Sequence, residues 1–292
     1  MIVITAPTGN IGRQVLAKLL DCGEQIRVIA RDPSKLPLED RERVEVIEGS
    51  HIQPDVVMKA FDGADSIFWL VAADLRAPSA EAAYVDFARP ALAAFEGLHG
   101  KRVVSVSALG RGWPQDAGHV TATLKMDDMI ASTGVSYRAL SCPSLMENML
   151  GQLEPIKHQG VFFWPASGNF RAPVCATRDV ADVAARLLLD RSWNGVEEIP
   201  LLGPEDLSCN DMATIMSEVL EKPIRFQEIS MGDMRAMMIS RGASAGIAEA
   251  MVNMLTAKNE GMDHMVKRTS STSSPTSFRE WCERVLRPAI LT

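Results

Sequence analysis

Short apolar runs alternate with amphipathic segments through the first half of the chain. Six runs have the length and side-chain content of strands: residues 1–4, 25–30, 44–48, 65–71, 102–107 and 135–140. Four segments between them are typical of helices: residues 11–20, 54–61, 79–98 and 122–132. Residues 65–71 are almost continuously apolar, as in a parallel strand buried on both faces. Repeated βα units connect parallel strands by right-handed crossovers, so the pattern predicts an α/β fold.

The regular alternation ends near Pro143. The later elements are predicted as helices and short strands: helices at residues 177–190, 208–220 and 278–286, and strands at residues 199–202 and 224–227. The helix at 177–190 is expected to return to the main sheet. We therefore predict a core over residues 1–150, rejoined by residues 174–192, and a smaller lobe over residues 151–292.

Residues 230–266 are predicted to be helical and carry eight methionines: Met231, Met234, Met237, Met238, Met251, Met254, Met262 and Met265. Methionine stripes at helical spacing usually pack in a core. Because methionine adapts its shape at low cost, the stripe is alternatively the deformable wall of an apolar pocket. Both interpretations stay open at the level of sequence.

The turn after the first apolar run has the context of a phosphate-binding loop. Residues 5–12 read TAPTGNIG and stand between a strand and an amphipathic helix. Glycines let the chain approach a pyrophosphate, and the free N–H groups of the helix start bind its oxygens. The predicted contacts are Thr8, Gly9, Asn10, Ile11 and Gly12. Ala6 replaces the first glycine of the fingerprint, so an ordinary turn with a left-handed Gly9 is the alternative.

Arg31 ends the second predicted strand, about 20 residues past the loop. An acidic residue at that point suits the ribose hydroxyl of NAD, whereas arginine suits the 2′-phosphate of NADP. Lys35 adds a second positive charge, and Asp32 between them keeps NAD(H) open. Val71, at the end of the run 65–71, is assigned to the same nucleotide site. We predict NADP(H) as the preferred cofactor.

Composition excludes several other classes of function. The chain has 292 residues, 47% of them hydrophobic, and a net charge of −7 without a basic block, which argues against nucleic acid as the main partner. No apolar run approaches the roughly 20 residues of a membrane span, and the chain starts with a core strand, so a cytoplasmic protein without a signal peptide is expected. Five cysteines and five histidines are scattered, and no metal site is predicted.

Five segments, in order along the chain, carry a family resemblance: TAPTGNIG at 5–12, ARDPSK at 30–35, RALSCPSLMEN at 138–148, RDVA at 178–181 and SPTSFREW at 274–281. They are similar to the TGATGxxG, VRNPxK, xxLRPxxFMEN, RDIA and PTSFxEW motifs of the NmrA-like branch of the atypical short-chain dehydrogenase/reductase superfamily. The resemblance implies a Rossmann-type doubly wound parallel sheet, a smaller C-terminal α/β lobe and NADP(H) between them. The chain departs from the family at Ala6 and at Ser50-His51, where an aspartate is common near the adenine.

Ordinary members of the superfamily reduce carbonyls with a serine after the fifth strand and a Tyr-x-x-x-Lys helix. Ser107 and Lys125 occupy the serine and lysine positions, but Thr121 stands in place of the tyrosine. Threonine is no comparable proton donor, and Tyr137 lies on the following strand. Alcohol–ketone interconversion by the usual route is therefore disfavoured.

The catalytic candidates are Lys125, Ser107 and His119. Lys125 would anchor the nicotinamide ribose, although a surface lysine is the alternative. Ser107 would bind substrate or simply cap its strand end. His119 would donate a proton or orient a substrate oxygen, and a solvent-facing loop histidine is the competing interpretation.

These residues favour an NADP(H)-dependent reductase that transfers hydride to a planar apolar electrophile, such as a quinone, enone or iminium ion. Such a centre accepts hydride without the tyrosine. The resemblance also implies an alternative, a non-catalytic NADP(H) sensor that acts through a protein partner. A cofactor-independent isomerase or cyclase is a third hypothesis. A monomer or homodimer acting on a small molecule is expected.

Overall fold

The computed structural model describes residues 1–291. Its strands are β1 (Ile2–Thr5), β2 (Ile26–Ala30), β3 (Glu45–Glu48), β4 (Ser66–Trp69), β5 (Arg102–Ala108), β6 (Ser136–Cys142), β7 (Ser144–Leu145), β8 (Val161–Trp164), β9 (Ala172–Cys175), β10 (Val196–Pro200), β11 (Asp206–Leu207) and β12 (Arg225–Glu228). Its α-helices are α1 (Gly12–Leu19), α2 (Leu38–Arg41), α3 (Pro54–Phe61), α4 (Leu92–Glu96), α5 (His119–Ala131), α6 (Leu153–Gln159), α7 (Thr177–Leu189), α8 (Cys209–Leu220), α9 (Met231–Ser240), α10 (Ala245–Asn259), α11 (Phe278–Trp281) and α12 (Arg287–Leu291).

Seven strands form the main sheet, in the order β10-β6-β5-β4-β1-β2-β3. Strand β1 pairs in parallel with both β2 and β4, and the parallel pairing continues from β2 to β3 and from β4 to β5. The strand order therefore reverses beside β1, as in a doubly wound sheet, where ligands bind at the carboxyl ends of the strands. The predicted Rossmann-type fold with a further C-terminal α/β lobe is confirmed.

The chain folds into two compact units. Unit 1 comprises Met1–Ala108, Thr121–Ser141 and Val180–Ile199. Unit 2 comprises Leu109–Val120, Cys142–Asp179 and the chain from Pro200 onward. A functional division at residue 150 stays a prediction.

The core of unit 1 packs around aromatic side chains that have almost no exposure. Trp69, Phe61 and Phe95 contact one another with ring centroids 5.1–6.4 Å apart, mostly edge to face. The helix predicted at 79–98 is confirmed as an uninterrupted helical segment from Ala80 to Glu96. Its geometry changes along its length, from a π turn at Ala82–Asp86 to a 3-10 turn at Arg89–Ala91 and then to α4. Pro90, which has no N–H to continue the α-helical hydrogen bonds, lies in the 3-10 turn.

Unit 2 contains two small sheets and its own core. Strands β11, β9 and β7 form one sheet, and β12 pairs in parallel with β8. The core includes Phe162, Phe278 and Trp281, each at most 1% exposed. The strand predicted at 199–202 is displaced: β10 ends at Pro200 and belongs to the seven-stranded sheet. No helix within residues 1–291 has the length and hydropathy needed to cross a membrane.

Candidate functional site

The turn between β1 and α1 is closed by a non-glycine residue in a left-handed conformation. Ala6 has φ +50°, which costs an L-residue roughly 1–2 kcal/mol. The interpretation that placed Gly9 in the left-handed region is wrong, because Gly9 is not among the glycines with positive φ. Gly12 is required for a different reason: a Cβ there would stand 2.0 Å from the carbonyl oxygen of Ala6.

The same turn presents unused backbone donors. The N–H groups of Thr8, Asn10, Ile11 and Gly12 form no hydrogen bond within residues 1–291, whereas the Gly9 N–H donates to the Ala6 carbonyl at 3.1 Å. Helix α1 has no side-chain cap and no acidic residue in its first turn. An uncapped helix start with several free donors attracts an anion, so these residues fit a pyrophosphate.

Arg31 lies directly after β2, at the carboxyl edge of the sheet. Its side chain is exposed and forms no hydrogen bond or ion pair with residues 1–291. Lys35 is also exposed, and its Nζ lies 3.8 Å from a carboxylate oxygen of Asp32. Hydrogen bonds from the Ser34 hydroxyl and backbone N–H hold the pKa of Asp32 below its ordinary value. Val71 follows β4 at the same edge and is 8% exposed.

A half-buried histidine, His51, lies beside these residues, where the sequence departs from the family pattern. His51 packs edge-on against Trp69 and Phe87, with ring centroids 5.0 and 4.8 Å apart. Burial lowers the pKa of His51 to about 4, against a hydrogen bond with the Leu70 carbonyl that raises it, and nearby Arg31 lowers it further. The His51 ring is therefore neutral at pH 7. The unusual Ser50-His51 pair was the signal for this position, but not for its burial.

Ser107 belongs to a buried hydrogen-bond network inside unit 1. Its hydroxyl donates to one carboxylate oxygen of Asp127, and the Tyr137 hydroxyl donates to the other at 2.5 Å. All three residues are less than 10% exposed. Burial, followed by the nearby charge of Asp127, raises the pKa of Tyr137 well above its usual range. Sequence analysis missed Asp127, which lies two residues beyond Lys125 on α5.

Lys125 and Thr121 are four residues apart on α5, so they share one helix face. The Lys125 Nζ lies 3.0 Å from a carboxylate oxygen of Glu81, and both side chains are about half exposed. Tyr84, the other of the chain's two tyrosines, is hydrogen-bonded to Thr123, and burial raises the pKa of its phenol.

His119 begins α5 and belongs to unit 2. Its side chain is 7% exposed, so the interpretation as a solvent-facing histidine is wrong. The Nε2 atom lies 3.3 Å from the carbonyl oxygen of Ile247, and burial lowers the pKa of the ring. His119 is therefore a predominantly neutral, packed histidine near pH 7.

Unit 2 contains a largely apolar cavity with an empty volume of about 760 Å³, its open mouth included. It is lined by Ser144, Leu145, Met146, Asn148, Met149, Gln152, Trp164, Ala166, Phe170, Ala172, Pro173, Val174, Leu207, Cys209, Met212, Lys258, Asn259, Asp263 and Phe278. None of the eight methionines of residues 230–266, for which a pocket wall was one of two open interpretations, lines this cavity. Asn148 lines the cavity and forms no side-chain hydrogen bond within residues 1–291.

Two sites thus emerge, a backbone loop in unit 1 and a side-chain cavity in unit 2. Residues 1–291 contain no cluster of three histidine, cysteine or acidic side chains that could hold a metal ion. A family model described as NAD(P)H-binding matches residues 7–191. That range includes every predicted nucleotide contact.

Known proteins resemble the chain along nearly its full length. A (4-alkanoyl-5-oxo-2,5-dihydrofuran-3-yl)methyl phosphate reductase from Streptomyces griseus is 27% identical over 96% of both chains. An NADPH-dependent quinone oxidoreductase from Escherichia coli, crystallised with NADPH, is 20% identical with a TM-score of 0.81, covering 98% of this chain and 100% of that one. A Citrobacter triphenylmethane reductase, crystallised with NADP(H), is 19% identical with a TM-score of 0.78, covering 96% and 98%.

Proposed function

This chain belongs to the NAD(P)H-binding family, and from that premise we propose that it is an NADP(H)-dependent reductase of planar, apolar electrophiles. The electrophile would be a quinone or a conjugated enone. The observation that carries the proposal is the uncapped start of α1, which has four unused N–H groups. The turn before it is so tight at Gly12 that a Cβ there would collide with the Ala6 carbonyl oxygen. These groups would hold the pyrophosphate of the cofactor.

The preference for NADP(H) is supported by Arg31. The guanidinium stands exposed at the carboxyl end of β2 and carries no ion pair within residues 1–291, so it is free to bind a 2′-phosphate. Lys35 would add a second positive charge. Asp32, whose carboxylate accepts two hydrogen bonds from Ser34, is committed to capping its own turn.

The substrate class follows from the missing proton donor. The cofactor supplies hydride when bound, so this chain's residues need only bind, orient and exclude water. Tyr137 is engaged with Asp127 and Tyr84 with Thr123, and Thr121 is a poor acid. An electrophile that needs no strong acid is therefore favoured. The names of the relatives agree: their activities concern a furanone, a quinone and a triphenylmethane dye.

Lys125 would bind the nicotinamide ribose after exchanging its contact with Glu81. The ion pair is half exposed, and such pairs contribute only about 0–1 kcal/mol, so its loss is easily offset. Ser107 would act by positioning α5 through Asp127 rather than by touching substrate. His119, packed and neutral, is proposed to shape unit 2 and not to supply protons.

The function is tested by titrating the purified protein with NADPH and NADH and then following the nicotinamide absorbance with a panel of quinones and enones. We expect NADPH to bind and to be consumed by at least one acceptor. If neither nucleotide binds, the proposal is wrong.

Arg31→Asp tests the cofactor preference. It should weaken NADPH binding by about 2–3 kcal/mol, because a charge-assisted contact is replaced by repulsion, and leave NADH nearly unchanged. The matched control is Arg241→Asp, which reverses an exposed charge at the end of α9 in unit 2. Equal effects of the two substitutions on NADPH would contradict the role of Arg31.

A second function is favoured by the same engaged tyrosines. A non-catalytic sensor would bind NADP(H) through the loop and report it to a protein partner, and it would need no proton donor. It is distinguished in the titration by tight NADPH binding without turnover of any acceptor. Consumption of NADPH would exclude it as the sole function.

A further inference from the structure

The cavity of unit 2 contains a buried ion pair that its apolar walls do not explain. The Nζ of Lys258 donates to Oδ2 of Asp263 at 2.6 Å, and the two side chains are only 11% and 4% exposed. Both residues line the cavity. Burying two charges is costly unless their remaining hydrogen-bonding positions are filled, so the pair needs further partners.

Each member of the pair has unfilled hydrogen-bonding capacity. Oδ1 of Asp263 is buried and has no partner within residues 1–291. The Lys258 ammonium has three N–H donors. One of them donates to Asp263, and within residues 1–291 this leaves two donors for other partners. An acceptor without a partner therefore stands beside spare donors in two residues that line an apolar cavity.

We propose that this cavity binds a planar apolar compound through a hydroxyl group that accepts from Lys258 and donates to Asp263 Oδ1. A hydroxyl is both donor and acceptor, so it fills both positions at once. A carbonyl or ether oxygen leaves Oδ1 without a partner, a carboxylate is repelled by Asp263, and an ammonium is repelled by Lys258. Trp164, Phe170 and Phe278 supply flat apolar walls for the rest of the ligand.

The inference rests on the proposed function in one respect: it names the substrate as a hydroxyl-bearing member of the same class of electrophile. It extends that function with a recognition element that the cofactor loop does not contain. Asn148 and Asn259 add polar groups to the lining, although the Nδ2 of Asn259 already donates to the Pro165 carbonyl at 2.6 Å.

The first experiment measures binding by equilibrium dialysis, without nucleotide, of three compounds that differ at one position: 2-naphthol, 2-methoxynaphthalene and naphthalene. The wild type should bind 2-naphthol at least about tenfold more tightly than the other two, since only the hydroxyl satisfies Oδ1. Equal affinities for all three would overturn the proposal and indicate that a trapped water fills the position.

Asp263→Asn gives the sharpest test, because it keeps the shape and changes the hydrogen bonding. The asparagine oxygen accepts from Lys258, and its amide then offers a donor where Oδ1 offered an acceptor. The preference for 2-naphthol over 2-methoxynaphthalene should fall at least about tenfold. Glu205→Gln, which removes an exposed negative charge elsewhere in unit 2, should leave that preference unchanged. An unchanged preference in Asp263→Asn would overturn the proposal.

The double variant Lys258→Met/Asp263→Leu guards against a folding defect, because removing both charges avoids an unpaired one. It should bind naphthalene at least as well as the wild type and lose the preference for 2-naphthol. Retention of that preference would contradict the assignment.

A second measurement separates this inference from the proposed function. 2-Naphthol should inhibit quinone reduction in the wild type competitively with the quinone, and more weakly in Asp263→Asn. Binding without competition would overturn the substrate assignment while leaving the reductase intact. Hydroxyl-selective binding in a protein that turns over no acceptor would support the cavity and contradict the reductase.

Discussion

The two candidate sites of this protein are built from different materials. The loop of unit 1 offers backbone N–H groups between Thr8 and Gly12, whereas the cavity of unit 2 is defined by side chains brought together from residues 144 to 278. The loop is continuous in sequence and the cavity is not. A site made of backbone groups tolerates most side-chain changes, unless an added side chain keeps the ligand from reaching the backbone. A site made of side chains depends on the identity of each of them.

This difference separates what the two sites can discriminate. Peptide N–H groups bind any phosphate within reach, so the loop as proposed would select a class of cofactor and little more. The ion pair of Lys258 and Asp263 has a defined arrangement of one orphan acceptor and spare donors. Specificity for the second ligand is therefore expected to lie in unit 2, and the following changes test that division.

The largest effect is expected in the cavity, from Lys258→Met. It leaves the Asp263 carboxylate buried without its cation and should lower the free energy of unfolding by about 3–5 kcal/mol. Urea unfolding followed by circular dichroism measures the loss. Lys258→Met/Asp263→Leu should recover most of it. A double variant as unstable as the single one would show that packing, and not the unpaired charge, is responsible.

At the loop, Gly12→Ala should cost about 2–3 kcal/mol of stability and abolish NADPH binding, because its Cβ would stand 2.0 Å from the Ala6 carbonyl oxygen. Gly9→Ala is the matched control. Its Cβ would lie 3.5 Å from the same atom, an ordinary contact, and should cost less than about 1 kcal/mol. Thermal unfolding and nucleotide titration of both variants compare their stabilities and their affinities for NADPH. Equal losses in Gly12→Ala and Gly9→Ala would contradict the close approach at Gly12.

Stability should also depend on pH through His51, a side chain near Arg31 in unit 1. Its pKa is about 4 in the fold against an ordinary 6.5, so the unfolded chain binds more protons between these values. The contribution of the neutral His51 ring to the free energy of unfolding is complete above pH 6.5 and is lost as the pH falls towards 4. It amounts to at most roughly 3 kcal/mol. Urea titrations from pH 7 to 4 should show a smaller decline in His51→Phe. Identical declines in both proteins would contradict a His51 ring that is neutral in the folded protein.

The smallest effect is expected from Ala6→Gly. Glycine removes the strain at φ +50° but adds freedom to the unfolded chain, so the net gain in stability should be at most about 1 kcal/mol. NADPH affinity should change little, since the N–H donors belong to later residues. A loss of stability would show that the Ala6 methyl packs favourably enough to outweigh its backbone strain.

Local sequence predicted the elements of unit 1 well, because apolar runs and glycine positions act over a few residues. It did not show the change of helical geometry near Pro90, where the helix expected at 79–98 tightens into a 3-10 turn. A left-handed Gly9 was the alternative to a phosphate-binding loop, but the residue of this turn with positive φ is Ala6. Local sequence also missed Asp127, whose importance depends on Ser107 and Tyr137 from two neighbouring strands.

For the candidate site, the sequence indicated the loop and Arg31 but not the cavity. The methionines at 230–266 suggested an apolar wall, yet the methionines that line the cavity are Met146, Met149 and Met212. Helical spacing shows which face of a helix is apolar and does not show what that face contacts. The burial of His119 was likewise invisible, because its partner Ile247 is 128 residues away.

By itself, the sequence determined the order of strands and helices, the glycine turn, and a positive charge directly after β2, since all of these depend on residues close together along the chain. Only the tertiary structure decided that Lys258 and Asp263 are buried together at the wall of an apolar cavity. Burial changes the energy of a charge, and burial is a property of neighbours that folding brings from distant parts of the chain.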